Sequence, residues 1–286
     1  MINRDLLSTT EYGEAPFQVA IIEHSKLDLV LIDSITGEPL GEPWITSMLD
    51  TYSRRVLAFH ISIGQPSSVS TLAVLRECVR RFNTLPNVII TDNSPEFGAA
   101  YFTSLLEQYG VILKRRPQHK AKFGSVTERL FGTVSSQMIH EQVSSTKTVK
   151  NVSQDTKSAN KNTVSLPILY EMLRTKFYEI YDTTLQPTLG ETPRQMFERG
   201  LGISGKRLFR FIPYDLQFII KTLPKVKNGT AKVDPKLGVK VNHIYYYCDE
   251  FLKPNIAETQ VQVHYDPLDL SIVYCYVEGQ WVMCHS

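Results

Sequence analysis

The chain has 286 residues, 42% of them hydrophobic and 21% charged, which is ordinary for a globular protein and enough for one large domain or two modest ones. A formal net charge of +2 is too small to argue for nucleic acid by itself; the crowding of Lys114, Arg115, Arg116, Lys120, Lys122 and Arg129 in one short segment is the informative part. No apolar run is long enough for a bilayer, no signal peptide opens the chain, and the four cysteines (Cys78, Cys248, Cys275, Cys284) form no C-x-x-C pair, so reduced structural thiols in a cytosolic protein are expected.

Residues 1–16 are polar and read as an arm. Phe17–Glu23 and Leu27–Asp33 are rich in aliphatic and β-branched residues, the texture of one long strand or two strands with a kink. Glycines and prolines between Thr36 and Pro43 make a turn region, and Trp44–Asp50 and Arg55–Ile63 give two further strands. Pro66, Ser67 and Ser68 start a helix whose apolar members run from Val69 to Phe82 at helical spacing. Pro86–Thr91 reads as a short buried strand ending at Asp92. Ala100–Tyr109 is a helix closed by Gly110, Val111–Arg115 a strand, and Ser125–Glu141 a helix.

Residues 143–165 are rich in Ser, Thr, Lys and Asn and lack aromatics, a composition that predicts a mobile loop. Leu166–Tyr181 resumes as a helix. Thr192 and Pro193 open a short helix that stops at Gly200. After about residue 205 the texture turns strand-like: Leu216–Lys221, Gly238–Tyr247, Thr259–Tyr265 and Ile272–Val282, with turns at Asp266–Pro267 and Glu278–Gly279, predict a small all-β domain. Trp44, Trp281 and Tyr245–Tyr247 read as core or half-core aromatics.

Two acids carry the chemistry. Asp92 ends a buried strand and is followed by Asn93, Glu96 and Phe97. Glu128 lies near a helix start, ahead of Arg129, Phe131, Gly132 and Thr133, with thirty-five residues between it and Asp92. In this pattern the sequence resembles the retroviral-integrase superfamily, and within it the TnsB/TniA-type transposases related to phage Mu transposase. The likeness extends through Leu40–Trp44, Asp50–Arg54, Phe59–Ser62, Thr192–Pro193 and Tyr265–Ser271. It implies an α/β RNase H-like catalytic domain, a mixed sheet flanked by helices, over residues 17–205. A Mu-type C-terminal β-barrel would follow over 206–286.

The resemblance implies a polynucleotidyl transferase that cleaves a transposon 3′ end and joins it to target DNA with two Mg²⁺ or Mn²⁺ ions. Carboxylates suit this role because hard divalent cations take oxygen ligands. The first acid of the family falls on Glu23, where the usual residue is Asp, so Glu23, Asp92 and Glu128 are the implied catalytic and metal-binding set. Asp28 and Asp33 are nearby acids; Asp50 reads as a structural strand-end acid. Ser94 stands where the family has Gly.

Lys114, Arg115, Arg116, His119, Lys120, Lys122 and Arg129 are candidates for phosphate contact beside the site, against the alternative of a solvated basic loop. His24 reads equally as an orienter of Glu23, a DNA contact or an ordinary strand histidine. The family's end-reading helix-turn-helix modules have no counterpart ahead of Phe17, so sequence-specific DNA binding is not expected of these residues. The resemblance further implies homo-oligomeric assembly on DNA, an ATP-dependent regulator and other transposition proteins as partners, no membrane, and a bacterial cytoplasm. Two alternatives stay open: an assembly subunit whose chemistry is impaired at Glu23, and an RNase H-like nuclease that cuts without joining.

Overall fold

Aliphatic residues at Val19, Ala20, Ile21 and Ile22, all buried, make the first strand a two-sided core element rather than an amphipathic one. The computed structural model describes residues 13–116, 163–204, 209–267 and 269–286. The chain divides into two units, the first ending at Pro213 and the second spanning Tyr214–Ser286.

In the first unit, β1 (Val19–Lys26), β4 (Pro43–Asp50), β5 (Val56–Ile63), β6 (Val88–Thr91) and β7 (Ile112–Arg115) form one sheet in the order β5-β4-β1-β6-β7. β1, β4 and β5 are antiparallel neighbours, whereas β6 runs parallel to β1 and β7 parallel to β6. An antiparallel meander of three strands continued by two parallel ones is the RNase H-like sheet. Helix α1 (Ser68–Phe82) carries the chain from β5 across to β6. It starts at Ser67, whose hydroxyl accepts from the Val69 amide at 3.2 Å, and ends at Asn83 in the left-handed region at φ 52°. Helix α2 (Ala100–Gln108) links β6 to β7 and buries Phe102, Leu105 and Leu106.

The aliphatic segment after Lys26 belongs to a different sheet. β2 (Val30–Ile32) pairs antiparallel with β3 (Pro39–Gly41) and parallel with β8 (Thr163–Ser165). Thr163–Ser165 is therefore a strand, contrary to the loop expected over 143–165; the loop's remaining residues, and the helix expected over 125–141, lie outside the described residues. Val164 is 4% exposed, so one apolar residue docked beside Leu31 outweighs the polar composition around it.

Leu166–Tyr181 is helical throughout: α3 (Leu166–Thr175) widens into a π-turn over Lys176–Tyr181. Leu169, Leu173 and Phe177 from this segment pack on Leu27, Leu31, Ile45, Leu49 and Phe59. At its end, buried Asp182 accepts from Arg55 Nη2 at 2.8 Å and Arg194 Nε at 3.0 Å. Arg194 sits in α4 (Pro193–Ser204), which runs past the stop expected at Gly200. Gly200 serves close packing instead: a Cβ there would lie 2.6 Å from Pro16 Cδ and from Tyr52 Cε1. The segment after α4 stays with the first unit, since the Ile212 amide donates to Asn83 O at 2.8 Å and Thr84 Oγ1 to Arg210 O at 2.9 Å.

The second unit opens with α5 (Leu216–Lys221), a helix where a strand was expected. Asp215 caps it by accepting from the Phe218 amide at 2.9 Å, a start signal that short apolar runs hide. Ile220 of α5 and Leu223 just after it then pack on Tyr274. The six strands β9 (Lys225–Asp234), β10 (Gly238–Val241), β11 (Ile244–Tyr246), β12 (Gln260–Asp266), β13 (Asp269–Val277) and β14 (Gln280–His285) make an antiparallel sheet in the order β11-β10-β9-β12-β13-β14. Tyr247, just past β11, exchanges both backbone hydrogen bonds with His285 of β14 at 2.8 and 3.0 Å, so the sheet curls until its outer strands meet.

Gly238–Tyr247, expected as one strand, is a hairpin. Asn242 and His243 both have positive φ (47° and 71°), the signature of a two-residue type I′ turn. β9 is not evident in the sequence because lysines flank its inward-facing Val226, Ala231 and Val233, and a register shift in its pairing with β12 breaks their alternation. The four cysteines are free thiols, as expected.

Candidate active site

The site begins with a register. β1 and β6 are parallel neighbours in which Ile22 stands beside Thr91. The next residue on each is an acid, so the register sets Glu23, inside β1, beside Asp92, which directly follows the end of β6. Buried aliphatics on the preceding turns of both strands fix this alignment, because a one-residue slip would turn every side chain to the other face.

Asp92 leaves the ladder in a tight turn, its Oδ1 accepting from the Ser94 amide at 2.8 Å. Ser94 itself has φ −60°, an extended conformation, so serine sits there without strain although the family carries glycine. Past it, Pro95–Gly98 forms a single 3₁₀ turn with Phe97 fully buried.

Glu23 is half-buried and its Oε1 is ion-paired with Arg116 Nη2. Arg116 follows β7, and its backbone is fastened to the Asp92 turn from both sides: its amide donates to Thr91 O at 2.8 Å, and Asn93 Nδ2 donates to its carbonyl at 3.3 Å. Among the basic candidates, Arg116 is thus turned onto an acid of the site. Lys114 is half-buried on β7, and the exposed Arg115 lies against Gly98. His119, Lys120, Lys122, Glu128 and Arg129 lie outside the described residues.

His24, next along β1, faces the opposite side from Glu23 and holds the Pro95–Gly98 turn. Its ring stacks on Phe97 with centroids 4.8 Å apart and planes 12° apart. Nδ1 hydrogen-bonds Thr46 Oγ1 at 2.8 Å, while Nε2 lies 3.1 Å from Glu96 Oε1, within ion-pair distance but outside hydrogen-bond geometry. Burial lowers its pKa against the opposing pull of Glu96, Asp92 and Glu23. Neither Thr46 nor the role of Glu96 was legible in the sequence, since both depend on which strands pair.

The other acids have separate duties. Asp28 is exposed, and Asp33 accepts from the Ile35 and Thr36 amides at 2.8 Å in its own turn. Asp50 is fully buried and accepts from the Phe17 and Ser53 amides at 2.9 and 2.8 Å, which makes it structural.

Two carboxylates side by side on adjacent parallel strands, one inside β1 and one just past β6, are the oxygen donors a hard divalent cation takes, and in this sense the pair fits a metal. Among the described residues no three His, Cys, Asp or Glu side chains converge into a complete set.

Comparison with known proteins sharpens the assignment. Residues 21–143 match the family of TnsB C-terminal domains, and residues 223–284 match that of Mu transposase C-terminal domains. The transposase for transposon Tn552 of Staphylococcus aureus is 24% identical over 152 residues, covering 48% of this chain and 29% of that protein. Together these likenesses support a TnsB-type transposase. The chain spans less than a third of that Tn552 relative. Among solved structures, the HTLV-2 integrase catalytic core domain in complex with magnesium (trimeric form) is similar, with a TM-score of 0.44 at 13% identity, over 65% of this chain and 99% of that one. A simian T-cell lymphotropic virus intasome in complex with a PP2A regulatory subunit covers 96% of this chain and 78% of its own, with a TM-score of 0.48 at 12% identity.

Proposed function

We propose that this chain is the catalytic core of a DNA transposase, which cleaves a phosphodiester at a transposon end and joins the freed 3′-hydroxyl to target DNA. The observation that carries the reading is the β1–β6 register, whose next residues are Glu23 and Asp92. Glu23, Asp92 and, by the family pattern, Glu128 would hold Mg²⁺ or Mn²⁺, two ions in the family's scheme. The cations' chemistry is to activate the attacking oxygen and stabilise the leaving one. The protein's own part is positional: the Ser94 amide fixes Asp92, and His24 fixes the turn behind it.

Lys114, Arg115 and the basic residues 119, 120, 122 and 129 would hold DNA phosphates beside the acids, a contact that weakens with salt. Homo-oligomeric assembly on DNA, an ATP-dependent regulator and a cytoplasmic, nucleoid-associated setting follow from the family. One observation favours a second reading. Arg116 neutralises Glu23, as it would in a non-catalytic assembly subunit.

A joining assay separates the readings. A pre-cleaved DNA end with a 3′-hydroxyl is mixed with plasmid, Mg²⁺ or Mn²⁺ and a high concentration of the chain. Joining that vanishes in Asp92→Ala identifies a transposase. Metal-dependent cutting without joining identifies a nuclease, and DNA binding with neither reaction identifies the assembly subunit.

A further inference from the structure

We infer that Arg116 is an internal counter-cation of the acidic pair: it neutralises Glu23 until a divalent cation displaces it, so cation binding and release of Arg116 are a single exchange. The inference rests on the proposed metal-binding role of Glu23 and Asp92 and adds a residue that regulates it.

Three observations carry it. The Glu23–Arg116 pair is largely withdrawn from water, with side chains 14% and 19% exposed. A carboxylate so placed is costly to leave without a partner, and the guanidinium supplies one. Next, the Arg116 main chain is fixed on both sides of the Asp92 turn by Thr91 O and Asn93 Nδ2, so the exchange is a movement of the side chain and not of the backbone. Finally, the paired acid is Glu, one methylene longer than Asp. An aspartate at position 23 would end about 1.5 Å short, one carbon–carbon bond less. The departure from the family's usual acid and the arginine therefore belong together.

A guanidinium and a divalent cation compete for the same carboxylate oxygens and repel each other, so occupancy by one weakens the other. Once released, Arg116 presents a planar fork of donors suited to a phosphate, beside the site where the DNA would lie.

The test is Mn²⁺ titration of the full chain without DNA, free Mn²⁺ being read by electron paramagnetic resonance. Arg116→Gln should bind Mn²⁺ about tenfold more tightly than the unmodified chain, with Arg116→Lys between them. In a Glu23→Asp background, Arg116→Gln should change nothing. Thermal melts identify a misfolded variant, and the lysine variant keeps the comparison valid if the glutamine one fails. Equal or weaker binding by both Arg116 variants, with binding still lost in Asp92→Asn, overturns the exchange and leaves the metal site intact. No Mn²⁺ binding by any variant, Glu23→Asp included, overturns the metal reading and the exchange with it.

Discussion

His24 separates two duties that sit one residue apart on β1. Glu23 faces Arg116, while His24 clamps the turn behind Asp92 through Phe97 and Thr46. Replacing His24 with alanine removes a ring stack and a hydrogen bond in a mostly buried place. It should cost roughly 1–3 kcal/mol in urea unfolding, with the loss felt first at the Pro95–Gly98 turn by hydrogen exchange. Asp50 gives a pH signature. Burial raises its pKa from 3.8 to about 6, against the hydrogen bonds from Ser53 and Phe17. Between those values the folded chain holds a proton that the unfolded chain has released, so this group's contribution falls as pH rises and levels off above about 7. Relative to Asp50→Asn, the unmodified protein should lose on the order of 2–3 kcal/mol between pH 4 and pH 7, measured by urea unfolding at each pH.

Elements in this fold are decided by what they pack against. Gly200 lies inside α4, where alanine is intrinsically favoured by about 1 kcal/mol. Because a Cβ would press on Pro16 and Tyr52, Gly200→Ala should instead lower the melting temperature, and a rise would contradict the packing. Asp182→Ala would leave the Arg55 guanidinium largely buried and unpaired, costing about 3–5 kcal/mol, whereas Arg194→Ala should cost much less because Arg194 is 40% exposed. The strands of the central sheet and helix α1 were legible in the sequence, since aliphatic runs and the Ser67 cap act locally. The strands β8 and β9 and the helix α5 were not. Val164 is a strand residue only because β2 is there to pair with it, and Leu216–Lys221 is helical because Asp215 caps it. At the site, Asp92 was legible as the acid that ends a buried strand, whereas Glu23 came only from the family resemblance. The Glu23–Arg116 pairing was not legible, because it joins residues brought together only by the order β1-β6-β7.

At the scale of the molecule, each unit has its own core. Val233, Val239, Tyr246, Phe251, Val263, Val273, Cys275 and Cys284 are buried within Tyr214–Ser286 alone. That segment should fold by itself, giving a dispersed amide spectrum and a cooperative melt; a collapsed spectrum would mean its core needs the rest of the chain. Gly238 is a check on its hairpin. A Cβ there would overlap the Tyr246 carbonyl oxygen at φ 82°, so Gly238→Ala should unfold this unit.

In the proposed transposase, Glu23 and Asp92 act as one acidic pair. The most direct measurement is the rate of DNA-end joining by Glu23→Gln, which keeps the shape of the side chain and removes its charge, beside the unmodified chain and Asp92→Asn. Both variants should fall by about 100-fold or more while remaining folded. Joining by Glu23→Gln within a few-fold of the unmodified chain would contradict this and remove Glu23 from the site.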